Sequence, residues 1–181
     1  MPVLRLAGLP FSWRRHTLTA CLSGALLLVL AACSDQSDPA LGLQPGGPVP
    51  DLEFRTLSGD RLVLSEQSGP VLVNFWSTDC AVCIEETPML SSLWERLKPE
   101  GYVFVSVAMP YDRPDSVVQM VERQGWKHPV AIDIDGSALA TFDNVVATPT
   151  SFLIAPDGTL DARIVGHIDG EALEARVREL L

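Results

Sequence analysis

A chain of 181 residues has room for one domain of ordinary size and an appendage. Its 23 acidic residues outnumber the 13 basic ones, and the formal charge of −10 argues against nucleic-acid binding and against electrostatic adhesion to anionic lipid.

The appendage comes first. Arg5, Arg14 and Arg15 form a positive n-region, and Leu18 to Leu30 is an apolar run broken by Gly24. The run is too short to span a bilayer comfortably. Arg14-Arg15 invites a twin-arginine reading, but the flanking residues fit poorly. The run ends in Leu30-Ala31-Ala32-Cys33, which resembles the bacterial lipobox. That resemblance implies cleavage before Cys33 and lipidation of its sulfur. The expected organisation is a lipoprotein signal peptide over 1–32, a flexible tether over 33–47, and a folded domain over 48–181. Removing 1–32 takes three of the 13 basic residues and none of the 23 acidic ones, which carries the charge from −10 to −13. Membrane attachment then rests on acyl chains. Cys21 and His16 leave with the signal and Cys33 carries lipid, so Cys80 and Cys83 remain as thiols. One close pair in an exported domain is a working couple rather than a disulfide framework. Ser34, following the lipidated cysteine, resembles an outer-membrane sorting signal of the enterobacterial type.

In the domain, Asp51–Thr56 and Arg61–Leu64 alternate weakly around the turn Ser58-Gly59-Asp60, which predicts a β-hairpin. Val71–Trp76, apolar but for Asn74, reads as a strand buried on both faces. Helical spacing follows from Cys83, with Leu90, Leu93, Trp94 and Leu97 on one stripe. Pro88 lies inside that helix and predicts a kink, and Pro99 and Gly101 end it. Tyr102–Ala108 is a second buried strand. Asp115–Gln124 is a helix closed by Gly125, with Val117, Met120 and Val121 inward. A short strand over Val130–Ile134 and a helical turn over Ser137–Phe142 come next. Ser151–Ile154 and Leu160–Val165 form an antiparallel hairpin around Pro156-Asp157-Gly158. Asp169 caps a last helix carrying Leu173, Val177 and Leu180. The order implies an α/β fold whose central mixed sheet is flanked by helices on both faces, with the hairpin at its N-terminus.

The chemistry is concentrated at Cys80-Ala81-Val82-Cys83, where a strand gives way to a helix. That junction places the first sulfur at a helix N-terminus, where unpaired N–H groups and the macrodipole favour a thiolate. The second sulfur, three residues on, is within reach of a disulfide. A structural disulfide and half of a zinc site are the other readings of such a pair. Zinc needs a further ligand pair at suitable spacing, and the chain has none.

This order, with Phe75-Trp76-x-x-x-Cys80-x-x-Cys83-x-x-Glu86-x-Pro88, resembles the thioredoxin superfamily. More narrowly it is similar to the TlpA/ResA-like branch of membrane-tethered, extracytoplasmic thiol–disulfide oxidoreductases, over roughly residues 48–181. The resemblance implies that Cys80 attacks, that Cys83 resolves the mixed disulfide, and that no cofactor beyond the redox-active Cys80–Cys83 disulfide is needed. It maps the family's acidic residue onto Glu86 and its cis-proline onto Pro149, with the Thr148 backbone available to a partner chain. X–Pro bonds in folded proteins are cis only about one time in twenty, so the cis expectation comes from the resemblance. Exchange proceeds through a thiolate, and Glu86 would manage its proton. Asn74 stands where thioredoxin itself has a buried aspartate; it cannot accept a proton, which strengthens the case for Glu86. Asp79 replaces the tryptophan usual before the first cysteine, and Ala81-Val82 replaces Gly-Pro or Glu-Pro. Trp76, Asp79, Ala81, Val82 and Thr148 are the expected substrate contacts.

The implied function is a lipid-anchored, periplasm-facing reductant of selected protein disulfides, supplied with electrons by an upstream membrane thiol reductant. Apocytochrome c and copper-site assembly proteins are the substrates such a family implies. A competing reading holds Cu(I) with Cys80, Cys83 and Met109 or a histidine, since soft sulfur suits that ion. His128 and His167 otherwise read as structural or surface residues. A peroxidase reading fails because no Pro-x-x-x-Thr-x-x-Cys pattern surrounds Cys80.

Overall fold

The computed structural model describes residues 42–181. The expected signal peptide and tether start, with the lipidation candidate Cys33 and Ser34, therefore lie outside the described residues. β1 (Glu53–Arg55) and β2 (Arg61–Val63) make the expected hairpin, with Phe54 opposite Leu62. β3 (Val71–Trp76) leads into α1 (Ala81–Leu97), then β4 (Val103–Ala108), α2 (Pro114–Gln124) and β5 (Val130–Ile132). α3 (Ser137–Thr141) is one short turn of helix. β6 (Thr150–Ile154), β7 (Leu160–Val165) and α4 (Gly170–Leu180) close the chain.

The sheet runs in the order β5-β4-β3-β6-β7. β3, β4 and β5 are parallel, while β6 is antiparallel to both of its neighbours. Side chains of β3 alternate between two cores, as strand periodicity requires. Val71, Val73 and Phe75 meet Phe54 and Leu62 of the hairpin and Phe142 after α3. Leu72 meets Leu90, Leu93 and Leu97 of α1 and Leu173 and Val177 of α4. Every residue of β3 is buried, which explains why its hydropathy does not alternate.

Caps and turns follow the sequence closely. Gly125 takes φ 65° and receives the end of α2, and Asp169 Oδ1 accepts the N–H groups of Glu171 and Ala172. α1 begins at Ala81 rather than Cys83, with Cys80 as its N-cap, and runs through Pro88 without interruption to Leu97. A 3₁₀ turn over Lys98–Glu100 and Gly101, at φ 111°, end it.

Residues 43–47, expected to belong to the tether, are held against the folded domain. Leu43 N–H donates to Asp143, Gly46 N–H donates to the Leu160 carbonyl, and Leu160 N–H donates to the Gly47 carbonyl. Residues 43–47 are thus bound to the domain by hydrogen bonds of their backbone, two to Leu160 and one to the Asp143 carboxylate, which composition does not register. Among the described residues, no helix is long and apolar enough to cross a membrane.

Candidate active site

Sheet register assembles the site. β3 ends at Trp76, and Phe75 pairs with Thr150, the first residue of β6. The segment leaving β3 and the segment arriving at β6 therefore meet at one edge of the sheet. Ser77 Oγ and Thr148 Oγ1 are 3.4 Å apart, and the Thr148–Pro149 peptide is cis. Cys80 N–H donates to the Ser77 carbonyl, closing a turn between strand and helix. Thr78 fixes that turn from outside: its N–H and hydroxyl donate to the two carboxylate oxygens of Asp112, at 3.0 and 2.8 Å.

Cys80 and Cys83 form a disulfide with their Cα atoms 5.3 Å apart. Cys80 is half-buried, whereas Cys83 is only 1% exposed. Cys83 N–H donates to Cys80 Sγ at 3.2 Å, so the N-cap sulfur occupies the acceptor position that a helix terminus offers to an anion. A thiolate at Cys80 would keep that bond and gain from its charge. The pair thus has one sulfur open to attack and one held inside.

Of the expected contacts, Asp79, Ala81 and Val82 are exposed and Thr148 is half-buried. Trp76 requires a correction. It has no exposed surface and packs edge-on against Trp126, centroids 4.9 Å apart, in a cluster that includes Cys83. The even side-chain positions of β3 point beneath α1, so Trp76 packs with Cys83 inside the fold and is not at the surface.

Glu86 continues the buried stripe of α1 backwards from Leu90 towards Cys83. Its Oε2 accepts the Ile168 N–H at 3.1 Å and lies 3.4 Å from His167 Nδ1. Its Oε1 is buried without a partner. Gly170 allows this approach: a Cβ there would lie 2.7 Å from Met89 Sδ on α1. Burial pushes the Glu86 carboxyl above its ordinary value of 4.5, while the Ile168 N–H and His167 pull against that rise. The folded state therefore holds this proton to higher pH than the unfolded chain does. Its stabilising contribution is complete below about pH 4.5 and is lost as pH rises through the raised value. Glu86→Gln is expected to remain folded, because an amide oxygen can still accept from Ile168, and to flatten this part of the stability curve. Urea midpoints across the window check it; a slope that survives in the variant removes Glu86 as its source.

The other sequence candidates are not brought to the sulfurs. Met109 lies in the core on the opposite face of the sheet from the cluster that holds Cys83. His128 is buried between Ser91 and Ser106 at 2.8 and 2.9 Å, stacked on Phe104, and burial pushes its pKa down to about 3. Among the described residues, no group of three His, Cys, Asp or Glu side chains could hold a metal ion. Asn74 donates to Ser151 Oγ at 2.8 Å. Ser77, Asp112 and His167 were missed as site residues, since a lone hydroxyl, loop carboxylate or histidine carries no spacing signal.

Comparison with known proteins agrees with this geometry. Residues 45–163 match the AhpC/TSA family. The chain belongs to that family. Thiol-disulfide oxidoreductase ResA of Bacillus anthracis is 33% identical over 140 residues, covering 76% of this chain and 79% of the relative. Thiol-disulfide oxidoreductase ResA of Bacillus subtilis is 28% identical, covering 77% of this chain and 75% of the relative. A solved Chlorobium tepidum structure, assigned as the thiol:disulfide interchange protein DsbE, superposes with a TM-score of 0.70. It is 26% identical and covers 77% of this chain and 99% of its own. Within the AhpC/TSA family, this thioredoxin-like protein is a thiol–disulfide oxidoreductase.

Proposed function

We propose that the protein reduces disulfides of other proteins from a lipid anchor at Cys33, facing the periplasm of a bacterial envelope. The observation that carries this reading is the asymmetry of the pair: Cys80 accessible at the helix cap, Cys83 buried behind it. In the reducing direction, the Cys80 thiolate attacks one sulfur of the partner disulfide. The partner's other sulfur leaves as a thiolate and takes a proton. Cys83, having lost its proton to Glu86, attacks Cys80 Sγ; the Cys80–Cys83 bond forms and the second partner sulfur leaves. A macromolecular partner suits the surroundings, because Val82 is 42% exposed in the first turn of α1 and Val146, just before Thr148, is 94% exposed. An upstream membrane thiol reductant would restore the dithiol.

Asp79 supports the reducing direction. Its Oδ1 accepts the Ser77 hydroxyl at 2.6 Å, which holds the carboxylate on the turn preceding Cys80. A negative neighbour disfavours the Cys80 thiolate and hence the reduced form, making the dithiol the better electron donor. Asp79→Asn is expected to move Cys80 thiolate formation to lower pH and the reduction potential in the oxidising direction. Each tenfold change in the couple's equilibrium corresponds to about 30 mV. A glutathione titration of both proteins measures it, and an unmoved potential makes Asp79 a contact residue only.

Two experiments address tether and substrate. Wild type is expected in the detergent phase on partitioning, with Cys33→Ser released or unprocessed; equal partitioning rules out the lipid anchor. A Cys83→Ser protein, offered apocytochrome c and copper-site assembly proteins, is expected to retain a substrate through Cys80. Capture of neither removes those substrate classes.

A further inference from the structure

His167 stands on the segment between β7 and α4, apart from every element that carries a cysteine. Its Nδ1 is 3.4 Å from Glu86 Oε2, yet the two side chains differ in exposure, 72% for His167 and 1% for Glu86. His167, Ile168, Asp169 and Met89 line an open groove of about 650 Å³ between α1 and α4. The imidazole thus touches a buried carboxylate on one side and a solvent-open groove on the other. The remaining charged groups of this groove are Arg96, Asp169, Glu171 and Glu174. Arg96 is paired with Glu174, and Asp169 caps α4. Among the described residues, His167 is the titratable side chain in contact with Glu86.

We propose that His167 is a positioning residue that relays protons between Glu86 and solvent in each exchange cycle. The relay rests on the reading that Glu86 takes the Cys83 proton. As Cys83 resolves the mixed disulfide, its thiol proton passes to the Glu86 carboxylate, and its electron pair forms the bond to Cys80 Sγ. The Cys80–partner bond breaks, and its electron pair leaves on the partner sulfur, which takes a proton from water. Glu86 then gives its proton to His167 Nδ1, and His167 releases one from Nε2 into the groove, so in this resolving step one proton leaves the protein as the partner's second sulfur gains one. Imidazole suits this position because one ring nitrogen can accept a proton while the other gives one up. Without it, a proton bound to a carboxyl that is 1% exposed has no titratable group to move to. The raised affinity of Glu86 for that proton would then slow the return to carboxylate.

The test follows the two steps of oxidised glutathione reduction by the reduced full chain, in wild type, His167→Ala, His167→Gln and Glu86→Gln. Both His167 variants are expected to keep the rate of Cys80 attack and to slow Cys83 resolution about tenfold at neutral pH, with an altered pH profile. Because the groove is open, free imidazole is expected to restore resolution in His167→Ala relative to wild type under the same conditions. Resolution rates and profiles matching wild type overturn the relay. A loss in His167→Ala that free imidazole does not restore also overturns it, by showing a structural effect. The Glu86→Gln profile separates this from the reading beneath it. If that profile is unchanged, the Glu86 role falls and the relay with it; if it changes while the His167 variants match wild type, only the relay falls.

Discussion

Cys80→Ser is expected to abolish disulfide reduction, while Cys83→Ser is expected to attack once and stop at a stable mixed disulfide. The difference follows from the helix cap. Cys80 Sγ receives the Cys83 N–H and is half-exposed, so it is the sulfur a partner can reach. Cys83 is 1% exposed and packs with Trp76, Ala108 and Val117, so its accessible target is the sulfur bonded to Cys80. Alkylation of the reduced protein should modify Cys80 well ahead of Cys83. Timed quenching with mass measurement of each cysteine checks this, and faster labelling at Cys83 reverses the assignment. Insulin reduction, with and without each substitution, reads the loss of turnover.

Trp76→Ala is expected to cost about 3–5 kcal/mol of stability, the range for emptying a fully buried aromatic site. Trp76 has no exposed surface, and its ring meets Trp126 edge-on at 4.9 Å. Its Nε1 is buried without a partner, so no hydrogen bond is lost with it. The consequence for chemistry is separate from the loss of stability. The space opened lies in the cluster holding Cys83, so the alkylation preference for Cys80 should narrow in the fraction that remains folded. Trp76→Phe keeps most of the ring contact and should retain more of both properties. Urea midpoints and cysteine labelling on the three proteins make the comparison. A Trp76→Ala protein with wild-type selectivity would mean that Cys83 is shielded by α1 alone.

Much of this molecule was determined by sequence, because the decisive signals are local. The apolar run Val71–Trp76, the Cys80-Ala81-Val82-Cys83 junction, Gly125 and Asp169 each act within a few residues through strand burial, a helix cap or a left-handed turn. Those signals, with the resemblance they support, located the redox pair, pointed to Glu86, and placed Pro149 before a strand. What the tertiary structure alone decided depends on contacts between distant segments. Trp76 sits in the same apolar run as Phe75, and only the sheet's position under α1 shows that it faces Cys83 and Trp126 rather than a partner. Residues 43–47 read as a turn-rich continuation of the polar stretch before them, yet hydrogen bonds from their backbone to the Leu160 backbone and the Asp143 carboxylate bind them to the domain. His167 lies 81 positions after Glu86, and the Ile168 N–H bond spans 82. No spacing rule links residues so far apart; α4 packing on α1 brings one beside the other.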